Sequence, residues 1–567
     1  MASDYAIAPI FLIRMAGVPF DLLDKLATPR TTFAARKAIA AEKELSSILE
    51  ELQQIVTALR DQGGAKEYQS LQRALRSKSP ERLANFSAFK PWREKLLGIA
   101  EAAHLADRML AGELTAARQH LYTIARDLLP RYLVFADPAM RERVMKQASG
   151  PVLPRNKDAR AHERHLLLYI QRICAKNDSL SEFGPESWGT ADRKIAGVVI
   201  DPQPGVAARE TFLERWTAHG AAAAMNADPK VRSELAPRIH PNCRLEGDSI
   251  VFCDSGESIT PTPMQLDLLR QLDPRTPAHV FSDRMDDLAL LARENLIKWE
   301  VEVPAMDAHA FDTLVTDVRR WRDNPTRSRW LGLLEPIADL PIRFAKNTAT
   351  ESRIQVMDEA RAALNQLGVI RGGSNRFLYA AANPIGEECF RRTNFTINPA
   401  MFDEVVQQAA PWINLWRDCY AFVADRVSAG LRRLLENSPR QDGRVPLPMF
   451  LRFCAERKMP LTGPGLVGFA HLAFHEVKAA FRELFQDRGG LNEWQFTEED
   501  SQFVRRKFQY SSFDEFTYPS ADLQLAARSV DAVGRGDYQW ILAELHPPVA
   551  LLHHGFYWSC PDKKGLA

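Results

Sequence analysis

The chain has 567 residues and a formal net charge of +1. This charge excludes long-range electrostatic attraction of a polyanion by the whole molecule, so contact with nucleic acid would need a local basic patch. Its 46% apolar and 26% charged residues are typical of a soluble globular protein and exclude a largely disordered chain. This length exceeds what one core supports, so two to four domains are expected.

Targeting and metal signals are weak. No apolar run approaches the ~18 residues that span a bilayer, and the N-terminus has an acid before its apolar run and no basic segment. The seven cysteines are scattered without a CxxC pair, which predicts reduced thiols and no zinc pattern. We therefore expect a cytoplasmic protein without a membrane span, a metal site or a bound cofactor.

The first 150 residues change from strand to helix. Residues 8–23 predict a strand, a turn and a helix start, with Arg14 interrupting the apolar run. We assign 1–30 to a strand region that joins the main domain. Residues 31–150 are almost wholly helical in pattern, with Thr32 as a predicted cap and separate helices near 91–116 and 119–128, and we assign them to a helical bundle insertion.

A polar cluster follows the helix that ends near residue 175. The stretch YIQRICAKNDSLSEFGPESWG, residues 169–189, places Arg172 and Lys176 four apart, on one face of a helix. Asn177 and Asp178 come next, before a Phe-Gly-Pro turn. Two cations, an amide and a carboxylate at a turn predict a pocket for a charged ligand. We assign 151–239 to a core motif region built around this cluster.

Residues 240–304 show strand, helix, helix and strand in the order of a winged-helix module. Thr262 is the predicted cap of the first helix, and the segment EVEVP is the predicted closing strand. Acidic helices argue against reading DNA and favour a peptide added at the sheet edge, although a purely structural wedge is an equal alternative. The predicted fold class is therefore α+β, helix-rich and multi-subdomain, with a bundle insertion and a winged-helix-like module.

The remaining residues, 305–567, complete the main domain in this division. The segment RRWRDNPTRSRW, within 319–330, interleaves arginines with Trp321 and Trp330. This pattern suits phosphate contact with base stacking, and it equally suits a helix end with arginines packed on tryptophan. Arg391 and Arg392 stand just before the strand TNFTI and are weaker candidates for anion contact.

Four segments together resemble the N-terminal, glutamylating domain of lantibiotic dehydratases. The segment RICAKND followed by FGP resembles a variant of the family pattern R-M-[AS]-x-R-x-T-P-F-G. The segments FLIRMAGVPFDLL, EECFRRTNFTI and ILAELHPPVALLHHGFYWSCPD resemble the opening strand, the mid-domain strand and a late HP passage of the family. All four occur in the family's order and span nearly the whole chain.

The resemblance implies roles for particular residues. Arg172 matches the first motif arginine, and Lys176 stands where the second would be, keeping the charge but losing the bidentate fork. Asp178 replaces a threonine and repels a phosphate, so it would instead hold Arg172 or an ammonium group. These three are the expected catalytic residues, with Arg14, Asn177, Arg391 and Arg392 expected to bind the tRNA or aminoacyl group.

The implied activity is aminoacyl transfer, of glutamate in the best-known family form, from tRNA to a Ser or Thr of a ribosomally made precursor peptide. No cofactor is expected, because aminoacyl-tRNA is a co-substrate. The expected partners are the precursor peptide, the aminoacyl-tRNA and a separate elimination-domain protein, since the chain ends before that family domain; a homodimer stays open. A non-catalytic leader-peptide scaffold and a peptide aminoacyl-tRNA ligase are the alternatives.

Overall fold

The computed structural model describes residues 10–61, 65–76, 89–152, 154–177, 180–202, 205–305, 307–369, 383–440, 443–457, 464–486, 493–508, 520–546 and 558–566. They belong to two compact units. One, the helical unit, consists of Ala16–Asp178 and Gly373–Ala381; the other, the sheet unit, consists of Met1–Met15, Ser179–Gly372 and Ala382–Ala567. Within the described ranges, every helix is too short or too polar to cross a membrane.

The helical unit is built on two long helices that pack against each other. Apolar side chains of both, Leu52 and Trp92 among them, share one core. The bundle was predicted to contain helices near 91–116 and 119–128, but a single helix runs through both ranges, because no proline occurs between Pro91 in its first turn and Pro130 near its end. The helices are α1 (Pro29–Asp61), α2 (Ala65–Arg76), α3 (Lys90–Tyr132), α4 (Pro138–Ser149) and α5 (Lys157–Ala175).

The start of α1 differs from the prediction that Thr32 caps it. The helix begins at Pro29, so Thr32 lies inside it and its hydroxyl donates to the Thr28 carbonyl at 2.9 Å. The carboxylate of Glu113 on α3 accepts from the backbone N–H groups of Arg30 and Thr31, both at 2.9 Å. A side chain distant in sequence therefore satisfies the free N–H groups that a local cap would otherwise bind.

The sheet unit is organised around a six-stranded mixed sheet. Strand order is β3-β11-β2-β10-β4, and β1 pairs antiparallel with β2. The strands of this unit are β1 (Ile10–Arg14), β2 (Glu186–Ala191), β3 (Val198–Pro202), β4 (Ala208–Leu213), β5 (Arg238–Ile239), β6 (Cys243–Glu246), β7 (Ser249–Phe252), β8 (Ser258–Ile259), β9 (Ile297–Lys298), β10 (Ile385–Phe390), β11 (Thr393–Ile397), β12 (Ser520–Ala527) and β13 (Tyr538–His546).

The registers of this sheet place charged residues opposite one another. Arg14 stands opposite Glu186, and Glu388 stands opposite Glu210. Phe11 stands opposite Gly189, where an added Cβ would lie 2.5 Å from the Phe11 ring. Only glycine therefore fits at that position without a shift of the ring.

Helices of the sheet unit cover one face of the central sheet. Phe11, Ile397 and Phe402 belong to one apolar cluster between the sheet and α13. The helices of this unit are α6 (Arg215–Asn226), α7 (Pro263–Gln271), α8 (Met285–Arg293), α9 (Ala310–Arg319), α10 (Pro325–Ala338), α11 (Leu340–Lys346), α12 (Thr350–Gln366), α13 (Pro399–Glu436), α14 (Leu447–Glu456), α15 (Pro464–Gln486), α16 (Glu498–Arg505), α17 (Val530–Gly534) and α18 (Lys563–Leu566).

Strands β5–β9 with α7 and α8 form the predicted winged-helix-like region. Thr262 caps α7 as predicted, in a capping box with Gln265. The closing strand lies earlier than the predicted EVEVP segment: it is Ile297–Lys298 and pairs with β5 rather than with the β6-β7-β8 sheet. Ile297 is buried, whereas Glu302 of the predicted strand forms ion pairs with Arg238 and Lys298.

Candidate functional site

The polar motif predicted to form a pocket lies at the C-terminal end of α5 in the helical unit. Arg172 is in the last turn of α5 and is half-buried. Lys176 is the first extended residue after the helix, and its backbone N–H donates to the Arg172 carbonyl at 2.9 Å. Lys176 and Asn177 are exposed. Asp178, the third expected catalytic residue, lies outside the described residues.

The thiol of this motif faces the core rather than solvent. Cys174 is 2% exposed, and burial, with a smaller contribution from Asp21, raises the pKa of its thiol. A buried, protonated thiol is a poor nucleophile. Cys174 is therefore a packing residue, and the exposed chemistry at this end of α5 belongs to Lys176 and Asn177.

Three other predicted residues lie around β2 in the sheet unit. Arg14 at the end of β1 donates to the Gly184 carbonyl at 3.2 Å, in the predicted Phe-Gly-Pro turn. Arg391, between β10 and β11, donates its backbone N–H to the Glu186 carbonyl at 2.8 Å. Arg392 beside it is exposed. Arg14 and Arg391 therefore lie on either side of Glu186, the first residue of β2.

The sheet face that carries Arg14 also carries a row of glutamates, which the sequence analysis did not predict. Register pairs share a face, and side chains two apart on a strand share a face. Glu186 on β2 is beside Phe390 of β10, Glu388 lies two residues before Phe390, and Glu210 of β4 is opposite Glu388. We call Arg14, Glu186, Glu210 and Glu388 the acidic face.

Burial and repulsion between carboxyl groups raise the pKa values of Glu186 and Glu388. Burial raises the pKa of Glu186 to about 7, although Ser559, Arg14 and Trp558 lower it in part. Burial raises the pKa of Glu388 to about 8, with Arg14 opposing and nearby glutamates adding to the rise. Shifts of this kind, from burial with a specific charged neighbour, are concentrated at functional sites.

The opposite face of the same strands carries a closed ion-pair network. Glu387 of β10 accepts from Arg209 at 2.8 Å, from Arg353 at 2.6 Å and from the Ser181 hydroxyl at 2.5 Å. Arg209 also pairs with Glu182. We call Ser181, Glu182, Arg209, Arg353 and Glu387 the paired face. It ties the turn after the polar motif to the sheet and to α12.

Cys389 lies beside this network. Burial, followed by the charge of Glu387, raises the pKa of its thiol to about 12. Such a thiol stays protonated at neutral pH, so the paired face offers no cysteine nucleophile. The turn that brings Ser181 to this network has a left-handed φ of 48° at Ser181 itself.

The basic and aromatic segment near residues 319–330 does not match the stacking alternative. Trp330 is 3% exposed, and its indole N–H donates to Asp228 at 3.1 Å. Every arginine of the segment has a carboxylate partner, which leaves the packed helix end as the correct interpretation. The pairs are Arg319–Glu335, Arg320–Asp317, Arg322–Glu234, Arg327–Asp323 and Arg329–Asp228.

One group of side chains has the spacing of metal ligands, although no metal site was predicted. Asp522, Glu544 and His546 lie on the β12–β13 ribbon with ligand atoms within 4.8 Å of one another. His546 Nε2 already lies 3.1 Å from Asp522, and both acids are exposed. A surface ion pair accounts for this arrangement.

Comparisons with known proteins point to one fold. No family model matches the chain, and no curated protein matches its sequence. The structure is similar to the glutamylation domain of TbtB from thiomuracin biosynthesis, with a TM-score of 0.63, 15% identity, and coverage of 92% of this chain and 68% of that chain. The same domain bound to 5′-phosphodesmethylglutamycin matches with a TM-score of 0.55, 14% identity and the same coverage.

A third match is the tRNA-dependent lantibiotic dehydratase MibB from Microbispora sp. 107891, with a TM-score of 0.45, 15% identity, and coverage of 75% of this chain and 42% of that chain. The TbtB likeness confirms the predicted α+β, helix-rich fold. It also confirms, at the level of the fold, the resemblance to lantibiotic dehydratase glutamylation domains.

Proposed function

We propose that this protein transfers an aminoacyl group from tRNA to a Ser or Thr hydroxyl of a ribosomally made precursor peptide. The observation that supports this most strongly is the fold similarity to the TbtB glutamylation domain over 92% of the chain. Similarity of fold is an analogy and does not itself define a reaction, so the site chemistry has to agree with it.

The end of α5 agrees with binding a polyanion. Lys176 is exposed, and Arg172 lies one helical turn before it. Cations at this position suit the phosphates at the acceptor end of a tRNA. They also oppose the negative charge that develops on an ester carbonyl oxygen during transfer. We propose Arg14, Arg391 and Arg392 as further contacts to the donor. Asp178 is proposed to hold Arg172 or an ammonium group.

The proposed reaction requires no ATP. The acceptor hydroxyl oxygen attacks the carbonyl carbon of the aminoacyl ester, the bond from that carbon to the ribose oxygen breaks, and the hydroxyl proton ends on the ribose oxygen. One ester replaces another, so the protein's task is to hold the two substrates together and to stabilise the oxyanion. The proposed partners are the aminoacyl-tRNA, the precursor peptide and a separate elimination protein.

A transfer assay tests the proposal. The full chain is mixed with the candidate precursor peptide and tRNA charged with one labelled amino acid at a time, beginning with glutamate, with and without ATP. We expect a labelled peptide without ATP, with a bond that mild alkali cleaves as an ester. An alkali-stable, ATP-dependent product indicates a peptide ligase. Peptide binding without transfer from any aminoacyl-tRNA indicates a scaffold and contradicts the proposal.

Lys176→Ala sharpens the assay. Because Lys176 is exposed and proposed to contact the donor, its loss is expected to lower the transfer rate about tenfold or more while stability stays within about 0.5 kcal/mol. The matched control is Lys157→Ala, an exposed lysine at the other end of α5. Equal rates for the two variants would remove Lys176 from the site.

A further inference from the structure

The acidic face brings three glutamates together with the single arginine that defines its other end. Glu186, Glu210 and Glu388 share it with Arg14, and Glu214 lies close enough to contribute to the raised pKa of Glu388. His309 Nε2 approaches Glu210 at 3.8 Å from the exposed side. Several carboxyl groups therefore surround one guanidinium on this face.

Glu186 is the member whose burial is hardest to explain by stability alone. It is 1% exposed, and although the Ser559 and Trp558 side chains lie close enough to lower its pKa in part, neither of its carboxylate oxygens meets a donor in full hydrogen-bond geometry among the described residues. The buried Trp558 indole N–H lies near this carboxylate and likewise makes no hydrogen bond in full geometry among the described residues. A buried carboxylate in this state costs stability unless a ligand or ion completes it.

Access to the row is from the β4 side. Glu388 is half-buried, the side chain of Glu210 is 19% exposed, and His309 beside it is exposed. The row thus runs from a solvent-accessible edge inward to Glu186. Glu210 and Glu388 are therefore the glutamates of the acidic face that solvent reaches, and Glu186 is its buried end.

We propose that the acidic face binds the α-ammonium group of the aminoacyl donor, with Glu186 and Glu388 as its direct carboxylate partners. This inference rests on the proposed function, because every aminoacyl ester carries a primary ammonium group beside its reacting carbonyl. Ammonium with paired carboxylates forms strong charge-assisted hydrogen bonds. Arg14 lies in the same row and is a cation, so it suits a negatively charged group of the donor, namely the ester oxygen or an acidic side chain.

Two stable probes isolate the ammonium group. The first is 3′-amino-3′-deoxyadenosine acylated with glutamate through an amide, and the second carries glutaric acid in place of glutamate, which removes only the α-ammonium group. Calorimetric titration of the full chain is expected to show roughly tenfold or greater preference for the first probe. In Glu186→Gln and Glu388→Gln the preference is expected to fall below about threefold.

The matched control is Asp201→Asn, which removes a carboxylate from edge strand β3 of the same sheet, opposite Asn394. It is expected to keep the wild-type preference, and circular dichroism checks that each variant is folded. Equal affinity of the wild type for both probes, no binding of either, or an unchanged preference in a Glu186→Gln, Glu388→Gln double variant overturns the inference. The transfer assay with charged tRNA decides the proposed function separately, since transfer by the wild type stands whichever group holds the ammonium.

Discussion

Strand β10 carries two adjacent glutamates on opposite faces of the central sheet, and their surroundings differ. Glu387 on the paired face accepts from Arg209, Arg353 and Ser181. Glu388 on the acidic face lies among other carboxyls, and burial raises its pKa to about 8. The comparison separates two situations of buried charge: a carboxylate with arginine partners is costly to remove because its partners are left unpaired, whereas a carboxyl group among acids has a raised pKa of the kind that is concentrated at functional sites.

The largest expected effect comes from removing the centre of the paired face. Glu387→Ala removes the shared partner of the buried Arg353 and the half-buried Arg209, and Arg209 keeps a second carboxylate, that of Glu182. Breaking a buried ion pair in this way costs about 3 to 5 kcal/mol, measured as the shift in the urea midpoint. A loss under about 1 kcal/mol would contradict a stabilising role for the paired face.

The carboxyl groups of the acidic face are expected to lower the stability of the fold as they ionise. An acid whose pKa is higher in the folded chain binds its proton more tightly when folded, so stability falls as pH rises from about 4.5 through the folded pKa. For Glu186 and Glu388, with folded pKa values of about 7 and about 8, this window runs from about pH 5 to about pH 8.

Urea midpoints measured across that window test this. The wild type is expected to lose up to about 1.4 kcal/mol per pH unit for each titrating group, and the Glu186→Gln, Glu388→Gln double variant to show a flatter profile. Asp201→Asn should keep the wild-type slope, since Asp201 lies on edge strand β3, which pairs with β11 and with none of the strands that carry the acidic face. Identical slopes in the wild type and the double variant would show that the acidic face does not titrate in this range.

The smallest effect is expected where charges are paired at the surface. Arg320 pairs with Asp317 three residues earlier on α9, and both side chains are more than half exposed. Such pairs contribute little, so Arg320→Ala should change stability by less than about 0.5 kcal/mol and leave transfer unchanged. A clear loss of tRNA binding in this variant would restore the nucleic-acid interpretation of the segment.

Local signals in the sequence were sufficient for several features. The Thr262 cap and the polar motif at the end of α5 each depend on neighbouring residues, and the structure has both. The family-like segments predicted the fold, although no single motif among them was strict. In these cases the energy that fixes the structure is local in the chain.

The acidic face was missed because its members come from β2, β4 and β10, and one sequence does not reveal which strands pair. The arginines near residue 320 were ambiguous for a related reason. Two of their partners, Asp228 and Glu234, lie about a hundred residues away, so a segment that is strongly basic in sequence is balanced in space.

The glycine opposite Phe11 has a consequence for how the sheet assembles. Because Gly189 leaves room for the Phe11 ring, β1 pairs with β2 in this register without a steric clash. A shift of register would also separate Arg14 from Glu186. The other edge of β2 pairs with β10 and β11, which are synthesised some two hundred residues later. During synthesis β2 therefore has its pairing partner β1 available on one edge while its other edge is still unpaired. The absence of a Cβ at Gly189 is what lets β1 dock there in register.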